Sequence, residues 1–362
     1  MENLLSGSET STSASAMLAS AGEKALVTGA AGFIGSHVVD GCLELGMDVV
    51  ATDDLSGGYI ENVSSEAEFV VGDLRDADFV AGLWRDRDFD YVYHLGAYAA
   101  EGLSHFVRAF NYRTNLEASV NLINQTVLHD ARRFVFTSSI AVYGHGQLPM
   151  TEKMIPMPED PYGISKYATE LDLAAAAKMF GLDYTIFRPH NVYGERQNIA
   201  DKYRNVIGIF MNAVLRDEPM RIFGDGRQTR AFSHIADVAP IISRSPLIER
   251  SCNETFNIGA DQPYSVLELA GSVADAFEVE CRVEHEPPRN EVAHAYSDHA
   301  KLREVFDPPP PIDLHTGIRR MVAWVKEHGA RNPVEFPGEI EVARGLPPSW
   351  AVTAPYSRGS AP

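Results

Sequence analysis

The feature that most constrains the fold is a glycine-rich turn that joins the first apolar run of the chain to its first helical stretch. Lys24 to Thr28 reads as a buried strand, and Phe33 to Leu45 reads as a helix stopped by Gly46. Between them, Thr28-Gly-Ala-Ala-Gly-Phe-Ile-Gly35 has the spacing Gly-x-x-Gly-x-x-Gly. Such a turn brings the free N–H groups and the positive dipole end of a helix up to a phosphate. It predicts a dinucleotide site, although glycine-rich turns also occur as plain surface turns.

Further short apolar runs alternate with helical patterns along the chain. They are Met47 to Thr52, Glu68 to Val71, Tyr91 to Leu95, Arg133 to Thr137 and Tyr184 to Phe187. Continuous apolar runs are expected when both faces of a parallel sheet are covered. The alternation therefore predicts an α/β fold, a Rossmann-type doubly wound parallel sheet over residues 23–190. The less regular pattern of residues 191–330 predicts a smaller, interleaved substrate-binding region.

The two ends of the chain differ from this pattern. Residues 1–22 are rich in Ser, Ala and Thr and lack the basic cluster and apolar core of a signal peptide, so we expect a disordered tail. Residues 331–362 are rich in Pro and Gly. We expect this C-terminal tail to wrap the surface without building a core.

Charge and cysteine content narrow the class of partner. The chain has 50 acidic against 31 basic residues, which disfavours nucleic acid and anionic membrane surfaces as partners. No apolar run is long enough to span a bilayer. The three cysteines show no pairing pattern and no metal-ligand spacing, which predicts reduced thiols, no metal and a cytoplasmic location. An anionic substrate would need a local cluster of arginines.

Carboxylates follow the second and third predicted strands. Asp53 and Asp54 end the second strand, where a carboxylate can bind the adenosine ribose hydroxyls and repel a 2′-phosphate. This position predicts NAD rather than NADP as the cofactor. Asp73 follows the third strand and could meet the adenine, but a helix N-cap is the simpler interpretation of that residue.

A second constellation predicts the chemistry. Tyr162 and Lys166 are four residues apart, so they share one face of the helix that runs from Pro161 to about Phe180. A nearby ammonium favours the phenolate, which could take a hydroxyl proton while the hydride leaves to a nicotinamide. Ser139 follows the fifth strand at the same sheet edge and could bind the same hydroxyl. An ordinary amphipathic helix and a simple serine cap are the alternatives.

Taken in order, the motifs resemble those of the extended short-chain dehydrogenases/reductases, in particular the nucleotide-sugar epimerases similar to UDP-glucose 4-epimerase. The resemblance covers about residues 24–330. The matching segments are Thr28–Gly35, Thr137–Gly144, Tyr162–Lys166, Arg188–Gly194, Ile222–Arg230 and Pro288-Arg289.

The resemblance implies roles for individual residues. Ser139, Tyr162 and Lys166 would be catalytic. The same Tyr162 and Lys166 would contact the cofactor together with Gly29, Gly32, Phe33, Ile34, Gly35, Asp53, Asp73, Leu74, Leu95, Ala97, Ala99, Asn115, Ser138 and His190. A nucleotide-diphosphate sugar would be bound by Ser139, Asn191, Asn205, Val206, Arg221, Phe223, Arg230 and Arg289. The resemblance also implies a homodimer built on two helical stretches, Leu103–His129 and Pro161–Phe180.

One loop departs from the galactose epimerases of that family. Tyr98 to Ser104 abuts the reacting sugar in the family, so Glu101 and Ser104 are candidate substrate-selecting residues. A loop carboxylate and a helix cap are equally open interpretations of these two residues.

The residues after Ser139 bear on the reaction type. Dehydratases of the family carry an Asp-Glu pair there, decarboxylases a Glu and the 3,5-epimerase variant a nearby cysteine, whereas this chain has Ile140 and Ala141. The resemblance therefore implies C4 epimerisation through a transient 4-ketosugar. Another reaction of the family (dehydratase, decarboxylase or ketoreductase) and a non-catalytic NAD-binding protein are the alternatives, because fold does not fix function.

Overall fold

A seven-stranded parallel sheet forms the centre of the computed structural model, which describes residues 22–146, 148–288, 292–332 and 336–350. The strands in chain order are β1 Lys24–Thr28, β2 Asp48–Asp53, β3 Glu68–Val71, β4 Tyr91–His94, β5 Arg133–Thr137, β6 Tyr184–Pro189, β7 Val192–Tyr193, β8 Met220–Phe223, β9 Thr229–Ala231, β10 Ser233–His234, β11 Glu254–Ile258, β12 Pro263–Ser265, β13 Val283–Glu286 and β14 His294–Ala295. The sheet order is β11-β6-β5-β4-β1-β2-β3. This arrangement confirms the predicted doubly wound fold.

The helices cover both faces of that sheet. In chain order they are α1 Phe33–Glu44, α2 Ala77–Leu83, α3 Glu101–Ser104, α4 Arg108–Tyr112, α5 Ala118–Leu128, α6 Pro161–Phe180, α7 Val206–Leu215, α8 Ile235–Arg244, α9 Val266–Phe277, α10 Ala300–Phe306 and α11 Leu314–His328. Apolar residues of α1, α8 and α10 pack on one face of the sheet, and those of α2, α5 and α6 pack on the other. A second core lies between α7, α9, α11 and β8. Among the described residues, no helix is long and apolar enough to cross a membrane.

The sequence-predicted helix over residues 103–129 is interrupted in the structure. Helix α3 ends at Ser104, Val107 has φ −134° and ψ 48°, and α4 begins at Arg108. A π-helical turn over Arg113–Glu117 then joins α4 to α5. The carbonyl of Phe106 turns out of the helical ladder and accepts backbone N–H groups from residues 341 and 342. Contacts with a distant segment therefore override a locally helical sequence.

Helix α6, which carries the predicted Tyr162 and Lys166, has defined ends. Asp160 caps its N-terminus, because the carboxylate accepts the Gly163 N–H at 2.8 Å, and Pro161 occupies the first turn. Gly181 ends the helix in the left-handed conformation, at φ 77°. These caps fix where the predicted catalytic face of α6 begins relative to the sheet.

The C-terminal segment contradicts our expectation that it builds no core. Residues 336–350, here called the C-terminal strap, place Phe336 and Trp350 at 6% and 3% exposure in a hydrophobic cluster with Tyr98, Leu103 and Tyr203. Two large aromatic side chains spaced among prolines and glycines suffice to anchor an otherwise irregular segment. The predicted N-terminal tail, apart from Gly22, and residues 351–362 lie outside the described residues.

Candidate active site

A cleft of about 810 Å³ opens at the carboxyl ends of the sheet strands. This is where ligand sites form in doubly wound sheets. It brings together the residues that the sequence places in one site: Gly29, Gly32, Phe33, Ile34, Gly35, Asp53, Asp73, Leu74, Leu95, Ala97, Ala99, Glu101, Ser138, Ser139, Tyr162, Lys166, His190, Asn191, Asn205, Val206, Arg221, Phe223 and Arg230. One continuous cleft thus holds nearly all of the predicted cofactor residues and nearly all of the predicted substrate residues.

The glycine turn is packed too closely to accept side chains. Gly29 has φ +66°, and a Cβ there would lie 2.7 Å from the Gly96 nitrogen. A Cβ on Gly35 would lie 2.0 Å from the carbonyl oxygen of Gly29, so α1 starts in direct contact with the turn. This geometry exposes the backbone of the turn to the cleft and fits the pyrophosphate of NAD.

The carboxylate of Asp53 lies at the end of β2, beside the glycine turn. It accepts the backbone N–H groups of Ala31 at 3.1 Å and Leu55 at 2.8 Å. Burial raises the pKa of this carboxyl above its usual value, while both hydrogen bonds oppose the rise. The Asp53 carboxylate therefore holds the backbone of both the glycine turn and the loop after β2 in place.

Asp73 is already engaged by a neighbouring guanidinium. Its two oxygens accept Nε and Nη2 of Arg75 at 2.9 and 2.6 Å, and this contact lowers the pKa of Asp73. A carboxylate held in this way still faces the cleft. Arg75 also lines the cleft and was not among the predicted site residues.

Ser139, Tyr162 and Lys166 meet where β5 faces the start of α6. Burial raises the pKa of Tyr162 well above its usual value, whereas its hydrogen bond with Ser139 lowers that pKa. The Nζ of Lys166 donates to the carbonyl of Thr137 at 2.8 Å and lies 5.9 Å from the centre of the Tyr162 ring. Burial lowers the pKa of Lys166 to about 7, and the charge of Glu170 opposes that shift.

A buried ion pair lies behind this set. Glu170 accepts Nε and Nη2 of Arg188 at 2.9 and 2.5 Å, and both side chains are only 6% exposed. Ser138 donates its hydroxyl to the same carboxylate, and Arg188 also donates to the Tyr143 hydroxyl at 2.8 Å. The sequence-based prediction omitted Glu170, although its position four residues after Lys166 places it on the same helix face.

His190 belongs to a buried histidine pair at the end of β6. Its Nδ1 lies 3.1 Å from the carbonyl oxygen of Ala231, and Nδ1 of His299 lies 2.6 Å from a carboxylate oxygen of Asp261. Because both partners only accept, both Nδ1 atoms carry protons. The two Nε2 atoms are 3.1 Å apart, and Nε2 of His299 also lies 3.1 Å from the Ser297 hydroxyl. Burial, and to a lesser extent the neighbouring His299, lowers the pKa of His190 to about 3.

Polar side chains at the other end of the cleft are partly engaged within the protein. Asn191 donates to the carbonyl of Ala231 at 3.1 Å, and Asn205 caps α7 by accepting the Ile207 N–H at 3.0 Å. Arg230 donates to the carbonyls of residues 292 and 293, while Arg221 is 59% exposed and lies 3.6 Å from Glu284 and Glu286. Arg289 lies outside the described residues.

Arg204 lines the cleft and was not among the predicted site residues. Its Nε lies 2.8 Å from Asp201, and its guanidinium stacks 4.7 Å from the ring centre of Tyr98. Its charge also lowers the pKa of Tyr162. The guanidinium thus adds positive charge to a cleft within an acidic protein.

Ser104 and Asn115 lie behind the cleft wall and do not line it. The Ser104 hydroxyl donates to the carbonyl of Glu101 at 2.6 Å and accepts the Tyr162 N–H at 3.2 Å. Asn115 accepts the Tyr98 N–H at 2.8 Å and donates back to the Tyr98 carbonyl at 3.2 Å. Their polar atoms position the loop after β4, and the substrate-binding role of Ser104 and the cofactor contact of Asn115 stay predictions.

Comparison with known proteins identifies the family. The model of the NAD-dependent epimerase/dehydratase family matches residues 25–259. The chain belongs to this family. NAD is accordingly its cofactor, and the glycine turn described above fits it.

Individual members of the epimerase/dehydratase family differ in reaction. The chain is 34% identical to the UDP-glucose 4-epimerase of Mycolicibacterium smegmatis over 311 residues, covering 84% of this chain and 98% of that protein. It is 26% identical to the UDP-N-acetyl-alpha-D-glucosaminuronate decarboxylase of Bacillus cytotoxicus, with the same coverages. The crystal structure of the UDP-glucose 4-epimerase of Thermotoga maritima with UDP-glucose superposes with a TM-score of 0.79 at 33% identity, covering 84% of this chain and 99% of that one.

Proposed function

We propose that this enzyme interconverts UDP-sugars that differ in configuration at C4, through a transient 4-ketosugar. Two observations together carry the proposal. Ser139, Tyr162 and Lys166 lie in one site. The two residues that directly follow Ser139 in the chain are Ile140 and Ala141. Ile140 opens a short 3-10 turn, and neither side chain can move a proton. The set therefore suffices for removing and restoring a hydroxyl proton but offers no acid at that position to expel water.

Each chain residue has a defined task in this proposal. Ser139 would hydrogen-bond the C4 hydroxyl of the sugar, and Tyr162 would take the proton of that hydroxyl and later return it. Lys166 would stabilise the phenolate of Tyr162, while the charge of Glu170 partly offsets the lowering of the Lys166 pKa by burial. NAD, when bound, supplies hydride acceptance and return at C4.

The diphosphate end of the ligand would meet positive charge in an otherwise acidic protein. Arg204, Arg221 and Arg230 all line the cleft, and a guanidinium suits the oxygens of a diphosphate. The choice of uridine as the base is supported by the relatives named above, all of which act on UDP-sugars by name.

Glu101 is the residue that could redirect the reaction. It begins α3, lines the cleft, and its charge raises the pKa of Tyr162. A carboxylate close to the reacting sugar is the kind of group that a decarboxylase or dehydratase needs. We therefore expect Glu101 to select the sugar. The product of the reaction shows whether Glu101 only selects the sugar or also acts as the acid or base of a decarboxylation or dehydration.

The test is incubation of the NAD-loaded protein with UDP-glucose, UDP-galactose, UDP-N-acetylglucosamine and UDP-glucuronate, followed by mass spectrometry and NMR. We expect a product of unchanged mass, inverted at C4, that retains a deuterium label introduced at C4 of the substrate. Tyr162→Phe serves as the inactive control. Loss of water or CO₂, or solvent deuterium entering at C3 or C5, would contradict C4 epimerisation. No turnover of any sugar by protein that holds NAD would favour a non-catalytic role.

We also propose a homodimer built on α5 and α6. The two helices pack side by side and leave several large apolar side chains exposed: Leu128 at 70%, Leu171 at 54% and Met179 at 75%. Such a surface is expected to be covered by a partner. Light scattering at micromolar concentration should give twice the monomer mass, and Leu171→Glu should shift it toward the monomer.

A cytoplasmic site of action completes the proposal. All three cysteines are free thiols in the structure. Free thiols persist in a reducing compartment. Fractionation of the source cells with an antibody to the chain tests this placement.

A further inference from the structure

The C-terminal strap is the element of this chain that its family does not explain. The motif resemblance ends near residue 330, and the M. smegmatis epimerase is matched over 98% of its own length by only 84% of this chain. Within the strap, Pro337 and Gly338 line the same cleft as the glycine turn and Tyr162. The strap is thus part of the ligand site.

We propose that the C-terminal strap closes the open side of the cleft, retains NAD, and must detach before NAD can exchange. The proposal concerns the cofactor alone and does not depend on which sugar is converted. Three sets of contacts carry it.

The first set ties the strap to the cofactor side of the cleft. The ring of Phe336 packs edge-on against Phe110 at 4.9 Å and against Tyr98 at 5.5 Å, measured between ring centres. Both partner rings line the cleft. Tyr98 directly follows the predicted cofactor residue Ala97, so moving Phe336 would remove the support behind this wall.

The second set is a carboxylate clasp. The side chain of Glu341 accepts the backbone N–H groups of Ala109 at 2.7 Å and Phe110 at 2.9 Å. The backbone N–H groups of Glu341 and Val342 donate to the carbonyl of Phe106 at 2.8 and 3.1 Å. Four hydrogen bonds therefore join the strap to Phe106, just before α4, and to the first turn of α4. They lie on the surface, so they can break without opening the core.

The third set ties the strap to Tyr203 and to Phe223, a residue predicted to bind the nucleotide sugar. Trp350 packs against Tyr203 at 5.4 Å and Phe223 at 6.2 Å between ring centres, and both of these residues line the cleft. Ser349 donates to Glu286 at 2.9 Å on the neighbouring strand β13. Phe336 and Trp350 thus pack into one aromatic cluster that borders the cleft from Tyr98 to Phe223, and Pro337 and Gly338 line the cleft beside it.

These contacts give the strap two firm anchors with an exposed stretch between them. Phe336 and Trp350 are buried, whereas residues 341–345 are exposed. An element held at two ends by few contacts can open locally at low cost. Because Pro337 and Gly338 line the cleft, opening the strap widens the path by which a dinucleotide can leave.

The test measures cofactor release without any sugar. Protein loaded with NADH is mixed with excess NAD, and the loss of bound NADH fluorescence gives the dissociation rate. Glu341→Ala removes the two side-chain hydrogen bonds of the clasp at a residue that does not itself line the cleft, and we expect the rate to rise roughly tenfold. Trp350→Ala releases the second anchor and should raise the rate by a similar factor, roughly tenfold. Glu339→Ala is the matched control, because Glu339 is exposed two residues from the clasp, and its rate should equal that of the wild type.

A measurement on the wild-type protein covers the case in which a variant folds poorly. Saturation with NAD should slow hydrogen exchange at the amides of Glu341 and Val342, since a closed strap protects them. Wild-type release rates in both variants, or exchange at these amides that is indifferent to NAD, would overturn the proposal and leave the strap a purely structural element. Because no sugar is present, failure of the epimerase assay would not affect either result.

Discussion

Replacing Lys166 by methionine should abolish activity and yet make the NAD-free protein more stable at neutral and acidic pH. Lys166 is 2% exposed, and its ammonium has one hydrogen-bond acceptor in the structure, the carbonyl of Thr137 at 2.8 Å. Methionine has a similar length and no charge to desolvate. The variant therefore removes the energetic cost of burying a positive charge beside Tyr162.

The magnitude of this effect follows from the pKa of the ammonium. Burial lowers that pKa from 10.5 to about 7, and each unit corresponds to about 1.4 kcal/mol. Holding the proton in the folded state at pH 6 thus costs about 5 kcal/mol relative to the unfolded chain. The variant forfeits the hydrogen bond to Thr137 and leaves its carbonyl unpaired, which costs about 1–3 kcal/mol. A net stabilisation of about 2–4 kcal/mol remains.

The pH dependence of the difference is its diagnostic property. Between pH 7 and 10.5 the unfolded chain keeps the proton on Lys166 and the folded protein releases it, so wild-type stability rises with pH across this window. The advantage of the variant should accordingly shrink by about 4 kcal/mol between pH 6 and pH 10. Urea unfolding of both proteins at the two pH values measures this change. Lys178→Met, on the exposed end of the same helix, is the control and should leave the unfolding free energy nearly unchanged. An equal difference between Lys166→Met and wild type at both pH values would refute the reasoning.

Three further substitutions test neighbouring parts of the site. Tyr162→Phe should reduce turnover by about 10²–10⁴-fold while leaving NAD binding by calorimetry nearly unchanged, and near-wild-type turnover would contradict its role. Asp53→Ala should narrow the preference for NAD over NADP, measured by the same calorimetric titration. Asp54→Ala, at the exposed neighbouring residue, should leave that preference unchanged. Equal effects of the two substitutions would contradict the ribose-binding role of Asp53. Glu170→Gln should lower the unfolding free energy by about 3–5 kcal/mol, because it leaves the Arg188 guanidinium buried without its countercharge. Combining it with Arg188→Met should recover part of the loss, and a purely additive double variant would argue against the pair.

Much of the fold could be predicted because the strands that carry it are continuous apolar runs. Six sheet strands lie within two residues of their predicted bounds, and α6 lies as predicted. The seventh strand, β11, was missed because Thr255 and Asn257 interrupt its apolar pattern. Asn257 is fully buried and nevertheless satisfied, since its side chain accepts from the Tyr143 hydroxyl at 2.7 Å and donates to the Met150 carbonyl at 3.1 Å. Local pattern cannot reveal a polar residue whose partners lie about a hundred positions away in the chain.

The candidate site was predictable where a motif fixes both residue type and spacing. The glycine turn and the Tyr162, Lys166 pair are such motifs. The side chains around them were not predictable, because Arg204 reaches the cleft, and His299 reaches His190, only through tertiary packing. The prediction that the C-terminal segment builds no core failed for a related reason. It rested on the many prolines and glycines of the segment, whereas the two aromatic residues Phe336 and Trp350 anchor it.

The position of β11 at the edge of the sheet has a consequence for synthesis of the chain. Until Ile258 has emerged, β6 is the edge of a sheet that already contains five older strands, and its Thr185, Ile186 and Phe187 have no partner strand on that side. The roughly 70 residues between β6 and the end of β11 take about 4–14 s to synthesise at about 5–20 residues per second. During that interval the nascent chain presents an apolar, unpaired β-edge, which is the kind of surface that recruits another chain. A chain that terminates anywhere before β11 would never cover the β6 edge. We therefore expect such truncated chains to aggregate and not to persist as a folded NAD-binding domain.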